Sequence, residues 1–287
     1  MKTFVEITMN PFKTLIFMLR RYKYSKIIEK FDAISDANYV EANNAMKDGY
    51  IKSTIDDLFE NENFTAQLRN SSLRRAPDDG KNVYFTWDLP EFVWETVLSS
   101  KKLERVVKGY LGHNARLDDM YIKSVKDGLS SVSEGWHDDN VGYRLKLFMV
   151  FDVEKIPSGT VLIPRKRPNI YHVRFWDEIS RSMKVKHTDE HVEEIRIDYQ
   201  AGDCLLFDTN LPHRGDYSST EGTRFCLIAE FIDRDKANAL KGKAPCNPGQ
   251  GKFKLRMPKK VLPMIEKSNL IDKSLVSVSE EVIHYGH

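Results

Sequence analysis

The sequence has few cysteines and almost no excess of either charge. Among its 287 residues there are three cysteines, Cys204, Cys226 and Cys246. This odd and sparse count fits neither a disulfide framework nor a zinc-ligand spacing, so it favours a reducing compartment and predicts a cytoplasmic protein. Lys and Arg total 44 against 42 for Asp and Glu, a formal charge of +2. That balance gives no electrostatic reason to expect nucleic acid as a partner.

Long apolar runs are also missing. None approaches the roughly 18 to 20 residues that a membrane-spanning helix needs, so we expect no transmembrane segment. A short apolar stretch at 14–19 precedes Arg20, Arg21, Lys23 and Lys26. It predicts either a packed amphipathic first helix or a weak peripheral membrane contact through the N-terminus. The basic residues follow the apolar run, which is not typical of a signal peptide.

The chain has no internal repeat, and we interpret 1–287 as a single domain in three parts. Residues 1–117 carry apolar side chains at spacings of three and four, which predicts a mainly helical outer layer. Residues 233–287 are basic and rich in turn residues, and they form either a lid or a plain C-terminal packing segment. The candidate helices are 26–34, 39–47 and 92–111 in the first part and 259–269 in the last.

Residues 118–232 change character, because short β-rich runs alternate there with Gly, Pro, Asn and Asp turns. Helices before such a series predict a mainly β protein with flanking helices (α+β), whose core is a jelly roll, the double-stranded β-helix of cupin-like barrels. An insertion at 171–191 is placed over the mouth of the barrel. The candidate strands are 120–125, 145–152, 160–163, 194–198, 204–207 and 224–231.

A histidine and a carboxylate lie two residues apart at His137 and Asp139. In an extended segment this spacing sends both side chains to one face, whereas Asp138 points to the other. His213, just after the apolar run 205–207, offers a third ligand. Two histidines and one carboxylate form the facial arrangement that leaves open positions on iron(II). The pattern therefore predicts an iron site made of His137, Asp139 and His213.

Arg224 follows His213 by eleven positions, across a turn. If the two runs pair as neighbouring antiparallel strands, Arg224 faces the same cavity as His213, together with Cys226, Ile228 and Glu230. A guanidinium inside a barrel needs a carboxylate partner, because an unpaired buried charge is costly. Its planar fork suits one carboxylate of a bound dicarboxylic acid.

With these motifs in order, the chain resembles the phytanoyl-CoA dioxygenase (PhyH)-like family of 2-oxoglutarate oxygenases over 121–231. The matching elements are the HxD pair, strand 145–153, the turn at 158–160, Gly202-Asp203 before an apolar strand, and His213 with Arg224. The resemblance implies that His137, Asp139 and His213 bind Fe(II), that Arg224 binds the 5-carboxylate of 2-oxoglutarate, and that O2 is the second co-substrate. Lys146 or Lys123 would supply a second co-substrate contact.

The resemblance implies hydroxylation of an unactivated C–H bond in a small molecule, with release of succinate and CO2. Two positions depart from the family pattern: Arg165-Lys166-Arg167 replace a Gly-Ser-His segment after the apolar strand, and Gly215 replaces a hydroxyl residue after His213. The three basic residues either form a solvated loop or line the substrate pocket. In the second case, together with the basic N-terminus, they favour an anionic substrate.

Other functions remain compatible with parts of the pattern. The same site can perform desaturation, cyclisation or epimerisation, because the outcome depends on how the substrate is held. A non-catalytic jelly-roll binding protein would be expected to lack one of the four site residues. A zinc or manganese hydrolase or isomerase would have no use for Arg224 at its spacing. No feature of the sequence indicates the oligomeric state.

Overall fold

Hydrogen-bonded β-strands account for most of the regular structure in the described part of the chain. The structure, a computed structural model, describes residues 46, 48–74, 83–86, 88–125, 144–155, 159–164, 194–209, 211, 213–216, 222–233, 256–258, 261–271, 276–278 and 282–285. The candidate helix at 26–34, the insertion at 171–191 and the basic residues Arg165 to Arg167 lie outside these ranges. So do all but one residue of the candidate helix at 39–47.

The described ranges contain strands and helices at both ends, and between residues 115 and 233 the described elements are all strands. The strands are β1 (Tyr50–Thr54), β2 (Val83–Thr86), β3 (Ala115–Val125), β4 (Arg144–Val153), β5 (Gly159–Leu162), β6 (Ile195–Ile197), β7 (Asp203–Asp208), β8 (His213–Asp216), β9 (Arg224–Asp233), β10 (Arg256–Pro258), β11 (Val276–Val278) and β12 (Val282–Tyr285). The helices are α1 (Ile55–Phe59), α2 (Phe64–Asn70), α3 (Glu91–Ser99), α4 (Lys101–Leu111) and α5 (Leu262–Lys267). A short 3-10 turn spans Ser72–Arg74. Among the described helices, none is long and apolar enough to cross a membrane.

The chain alternates between two antiparallel sheets. One sheet has the order β1-β7-β4-β9-β3-β2 and the other β6-β5-β8. After β4 the chain crosses to the smaller sheet for β5 and β6, returns for β7, crosses again for β8 and returns for β9. This crossing pattern is a jelly roll, so the fold class predicted from the sequence is confirmed. A third sheet, β10-β12-β11, follows at the C-terminal end.

Each face of the six-stranded sheet has its own apolar cluster. On one face Val150 and Phe207 pack with Leu162 and Ile197 from the smaller sheet, so the interior lies between the two sheets. On the other face, side chains of β4 and β9 pack against the helices. That second cluster includes Trp94, Val97, Leu103, Val107, Leu147 and Phe231. The predicted layer of flanking helices is therefore present, and it covers the outer face of the larger sheet.

Period-two alternation in β9 is as the sequence predicts. Phe225, Leu227, Ala229 and Phe231 belong to the cluster on the helical side. Cys226 and Ile228 belong to the cluster between the sheets. All six strands predicted from the sequence are present, with ends that differ by a few residues. The alternation holds because each face of the sheet meets a separate apolar layer.

Several elements differ from the sequence prediction. β1 and β2 lie in the part expected to be mainly helical, and both extend the six-stranded sheet. Their local patterns are short, and pairing with β7 and β3 decides their conformation. The predicted helix 92–111 is two helices, because the Ser100 hydroxyl accepts a hydrogen bond from the Leu103 backbone N–H at 3.1 Å and starts α4. The C-terminal sheet was not predicted.

A tight backbone junction lies just before Arg224, and Gly222 permits it. Glu154 and Thr223 exchange two backbone hydrogen bonds, of 2.8 and 3.1 Å. A Cβ on Gly222 would overlap the carbonyl oxygen of Glu154. We expect Gly222→Ala to reduce the free energy of unfolding by about 2 to 4 kcal/mol, measured by denaturant titration.

Gly202→Ala is the matched comparison for this prediction. A Cβ on Gly202 would meet nothing closer than ordinary van der Waals contact with Thr65, but the residue has a φ of +100°. We expect the variant to lose only about 1 to 2 kcal/mol, the cost of a left-handed backbone at a residue with a side chain. Equal losses in the two variants would mean that the contact with Glu154 is not the cause.

Candidate metal and co-substrate site

His213 is the first residue of β8 and lies inside the barrel. Its side chain is buried, with 5% relative exposure, and its ring meets the Phe207 ring edge-on, with centroids 5.0 Å apart. Nδ1 lies 2.9 Å from the carbonyl oxygen of Leu211. Because a carbonyl only accepts, Nδ1 carries the proton and donates, which leaves the ring lone pair on Nε2. A histidine held in this way presents Nε2 to a metal.

His137 and Asp139 lie outside the described residues. Among the residues described, no group of three His, Cys, Asp or Glu side chains could hold a metal. Of the three predicted ligands, His213 is the one that the structure describes. The assignment of His137, Asp139 and His213 as iron ligands remains a prediction.

Arg224 is the first residue of β9, and its side chain is also buried, at 6% exposure. The guanidinium carbon lies 5.0 Å from the centre of the Tyr199 ring. The Tyr199 hydroxyl donates to Thr160 Oγ1 at 2.9 Å. Burial raises the pKa of Tyr199, while Arg224 acts in the opposite direction. The Arg224 guanidinium is thus a cation stacked on a neutral ring. The hydrogen bond to Thr160 holds that ring, so the stacking fixes the orientation of the guanidinium.

The reason given from the sequence for the closeness of His213 and Arg224 is wrong. Their strands do not pair: β8 pairs with β5, whereas β9 pairs with β3 and β4. Both residues face the interior because the two sheets face each other across it. Arg224 pairs with Val153 at the end of β4, and His213 pairs with Leu162 at the end of β5. Since β5 begins where β4 ends, His213 lies about three residues, or about 10 Å, further along the barrel.

Three basic side chains lie on the same inner face of the larger sheet as Cys226. Cys226 is opposite Lys123 on β3 and opposite Val150 on β4. Burial raises the pKa of its thiol to about 11, and the charges of Arg224, Lys123 and Lys146 act in the opposite direction. Arg224 and Lys123 therefore lie near each other inside the barrel, and Lys146 lies further along the same face. An interior with this charge favours an anionic ligand.

Lys146 is further from Arg224 than Lys123 is, and it has an acidic partner. Its Nζ lies 3.2 Å from Oε1 of Glu230, which also accepts a hydrogen bond from the Tyr121 hydroxyl at 3.0 Å. Arg144 forms an ion pair with the other oxygen of Glu230. Lys123 lies opposite Cys226, the next residue after Arg224 on the inner face of β9. Both lysines remain predictions as co-substrate contacts.

A buried acidic residue that the sequence analysis did not single out is Asp119. It is fully buried, and burial, followed by Glu230 and Asp118, raises the pKa of its carboxyl to about 8. The sequence shows only two adjacent aspartates at the start of a β-rich run. A polar pair in an otherwise apolar strand is a weak signal, and a strand irregularity decides where it points.

The raised pKa of Asp119 predicts how the stability of the ligand-free protein depends on pH. The ordinary value is 3.8 and the folded value about 8, so between these values the folded protein holds a proton that the unfolded chain releases. Raising the pH through this window therefore favours unfolding. Asp119→Asn removes the effect, so its stability relative to wild type should grow by about 4 to 5 kcal/mol from pH 4 to pH 8.

Denaturant titrations of both proteins across that pH range measure this difference. Above about pH 9 the curves should run parallel, because the wild-type carboxyl is then ionised in both states. A difference that does not change with pH would contradict a raised pKa at Asp119.

No known family model and no curated protein matches this chain. Some solved structures are similar in part. The non-heme alpha-ketoglutarate-dependent epimerase SnoN from nogalamycin biosynthesis is 15% identical, with a TM-score of 0.45 over 69% of this chain and 83% of that chain. EctD from S. alaskensis, with 2-oxoglutarate and 5-hydroxyectoine, is 15% identical, with a TM-score of 0.45 over 67% of this chain and 75% of that chain.

HygX from Streptomyces hygroscopicus, with nickel and 2-oxoglutarate bound, is 14% identical, with a TM-score of 0.41 over 66% of this chain and 84% of that chain. Similarity at this level transfers neither an activity nor the role of any residue.

Proposed function

We propose that this protein is an Fe(II)- and 2-oxoglutarate-dependent dioxygenase of the PhyH-like kind. The observation that carries the proposal is the placement of His213 and Arg224. Both are buried in the interior between the two sheets, although they come from different sheets. A metal-binding nitrogen and a carboxylate-binding fork about 10 Å apart along one barrel match a co-substrate that binds a metal at one end and a cation at the other.

The metal fits the residue types that this chain supplies. His213 presents Nε2 because Nδ1 is held by the Leu211 carbonyl. His137 and Asp139 complete two histidines and one carboxylate, a set that holds Fe(II) and leaves positions open. Iron bound there supplies the activation of O2 that is coupled to conversion of 2-oxoglutarate to succinate and CO2, with hydroxylation of an unactivated C–H bond in a small-molecule substrate.

Arg224 anchors the distal carboxylate of 2-oxoglutarate. The stacked Tyr199 ring fixes the orientation of the guanidinium, and the Thr160 hydroxyl holds the Tyr199 hydroxyl in turn. A preformed fork loses little side-chain entropy when the carboxylate binds. Lys123 is the nearer candidate for a second contact, and Lys146 the more distant one. The apolar side chains between the sheets, such as Val150 and Leu205, exclude water from the bound co-substrate.

Anaerobic calorimetry followed by an oxygen-dependent assay tests this function. The protein is loaded with Fe(II) without oxygen, 2-oxoglutarate is titrated in, and succinate is measured after oxygen is admitted. We expect binding of 2-oxoglutarate that requires the metal, and slow succinate formation even without the primary substrate. If neither iron nor 2-oxoglutarate bound, the alternative of a non-catalytic jelly-roll binding protein would replace this proposal.

Desaturation, cyclisation and epimerisation remain alternatives at the same site. Each consumes 2-oxoglutarate in the same way, so the succinate assay does not separate them. Mass analysis of the product does: hydroxylation adds one oxygen atom, desaturation and cyclisation remove two hydrogens, and epimerisation leaves the mass unchanged. We place hydroxylation first because it needs only that the substrate be held with one C–H bond beside the metal.

A further inference from the structure

A β-bulge in β3 determines which of its side chains face the interior. Leu117 is opposite Phe231, Asp119 is opposite Glu230, and the register shifts between them at Asp118. Leu117 therefore joins the cluster on the helical side, whereas Asp119 falls on the same face as Tyr121. Without the extra residue, Leu117 and Asp119 would share a face. Bulges of this kind occur beside functional sites, where they redirect a side chain.

Cations partner two of the three carboxylates at this bulge. Arg116 and Arg144 lie 3.3 and 3.2 Å from the two oxygens of Asp118. Glu230 is held by Arg144, Lys146 and the Tyr121 hydroxyl. These contacts leave Asp118 and Glu230 neutralised inside the barrel, as buried carboxylates require.

Asp119 differs from both. Its Oδ1 accepts a hydrogen bond from the Met120 backbone N–H at 2.9 Å. Its Oδ2 is buried and has no hydrogen-bond partner among the residues that the structure describes. A fully buried carboxyl oxygen without a partner costs free energy, so it calls for a group that the described chain does not supply.

The position of this carboxyl relative to the proposed site is fixed by the register. Glu230, which faces Asp119, lies six residues from Arg224 along β9, or about 20 Å. His213 lies about 10 Å from Arg224 on the same axis. The order along the barrel is therefore Arg224, His213, Asp119. A co-substrate between Arg224 and His213 leaves the Asp119 end for a different molecule.

We propose that Asp119 binds a protonated nitrogen, an ammonium or amidinium group, on the primary substrate. The inference rests on the proposed function for what the substrate then undergoes. A cationic nitrogen donates to Oδ2 and supplies the positive charge beside which the Asp119 carboxyl ionises. A hydrocarbon chain leaves Oδ2 without a partner, and an anionic group opposes the ionisation of Asp119. The sequence-based prediction of an anionic substrate depends on basic residues that lie outside the described part of the chain.

A purely structural role is the competing explanation. Asp119 and Glu230 could share a proton and hold β3 against β9, with no ligand involved. That role predicts an effect of Asp119→Asn on stability and none on which ligand is preferred. Ligand preference is therefore the measurement that separates the two explanations.

The test uses the full chain with Fe(II) and saturating 2-oxoglutarate, without oxygen, and three probes of equal chain length: hexylamine, 1-hexanol and hexanoate. Calorimetry gives each dissociation constant. We expect hexylamine to bind wild type about tenfold tighter than 1-hexanol, the gain of one charge-assisted hydrogen bond, and hexanoate to bind weakest. In Asp119→Asn the preference for hexylamine should disappear while 2-oxoglutarate binds as before.

Asp208→Asn is the matched control. Asp208 is equally buried, but it accepts a hydrogen bond from the Tyr110 hydroxyl at 2.6 Å on the helical side of the sheet. The Asp208→Asn variant should keep the wild-type preference for hexylamine over the other two probes. Equal binding of the three probes to wild type, no binding of hexylamine, or a preference that survives in Asp119→Asn would each overturn the proposal. Loss of 2-oxoglutarate binding in wild type would instead count against the proposed function.

Discussion

Replacing His213 with alanine should abolish succinate formation from 2-oxoglutarate. His213 is the described member of the predicted ligand set, and its ring is held by the Leu211 carbonyl and by Phe207. Two ligands hold a metal far more weakly than three, so we expect iron affinity to fall by about 100-fold or more, beyond the loss caused by disturbing a residue that only orients a ligand. Iron content after desalting measures binding, and succinate measures turnover.

His113→Ala controls for the loss of a histidine in general, since His113 is exposed after α4. It should retain full iron content and activity. Circular dichroism and the midpoint of thermal unfolding show whether His213→Ala is folded. A folded His213→Ala variant with normal iron content would mean that the metal lies elsewhere or that no such site exists.

Arg224→Met should raise the dissociation constant of 2-oxoglutarate by about 100-fold, because loss of a buried charge-paired hydrogen-bond donor costs about 2 to 5 kcal/mol. Methionine keeps the packing against Tyr199 but removes the charge and the fork. Anaerobic calorimetry with Fe(II) measures the change directly. Iron binding should be unaffected, because Arg224 is separated from His213 by about 10 Å along the barrel.

Four further variants sharpen this result. Arg224→Lys keeps the charge but loses bidentate geometry, so its loss of affinity should be smaller, about tenfold. Arg196→Met removes an arginine from the exposed side of β6, where it pairs with Asp216 and Asp198, and should have no effect. The same titration on Lys123→Met and Lys146→Met separates the two candidate second contacts. Unchanged affinity in Arg224→Met would remove the co-substrate anchor from the proposal.

Local patterns were enough to locate the core strands. In β4 and β9, runs of alternating apolar residues bounded by turn residues placed the strands to within a few positions, because both faces of these central strands are buried. The same patterns assigned Cys226 and Phe225 to opposite faces correctly. Edge elements such as β1 were missed, since a five-residue run carries little periodicity and its pairing partner β7 lies far along the chain.

The sequence by itself determined the jelly-roll class, the faces of the central strands and the candidate set His137, Asp139, His213 and Arg224, because these depend on local spacing and on residue chemistry. Tertiary structure alone decided that His213 and Arg224 share an interior from opposite sheets, and that a bulge turns Asp119 inward. Sheet pairing joins residues that are distant in sequence, and a one-residue shift reverses every side chain beyond it.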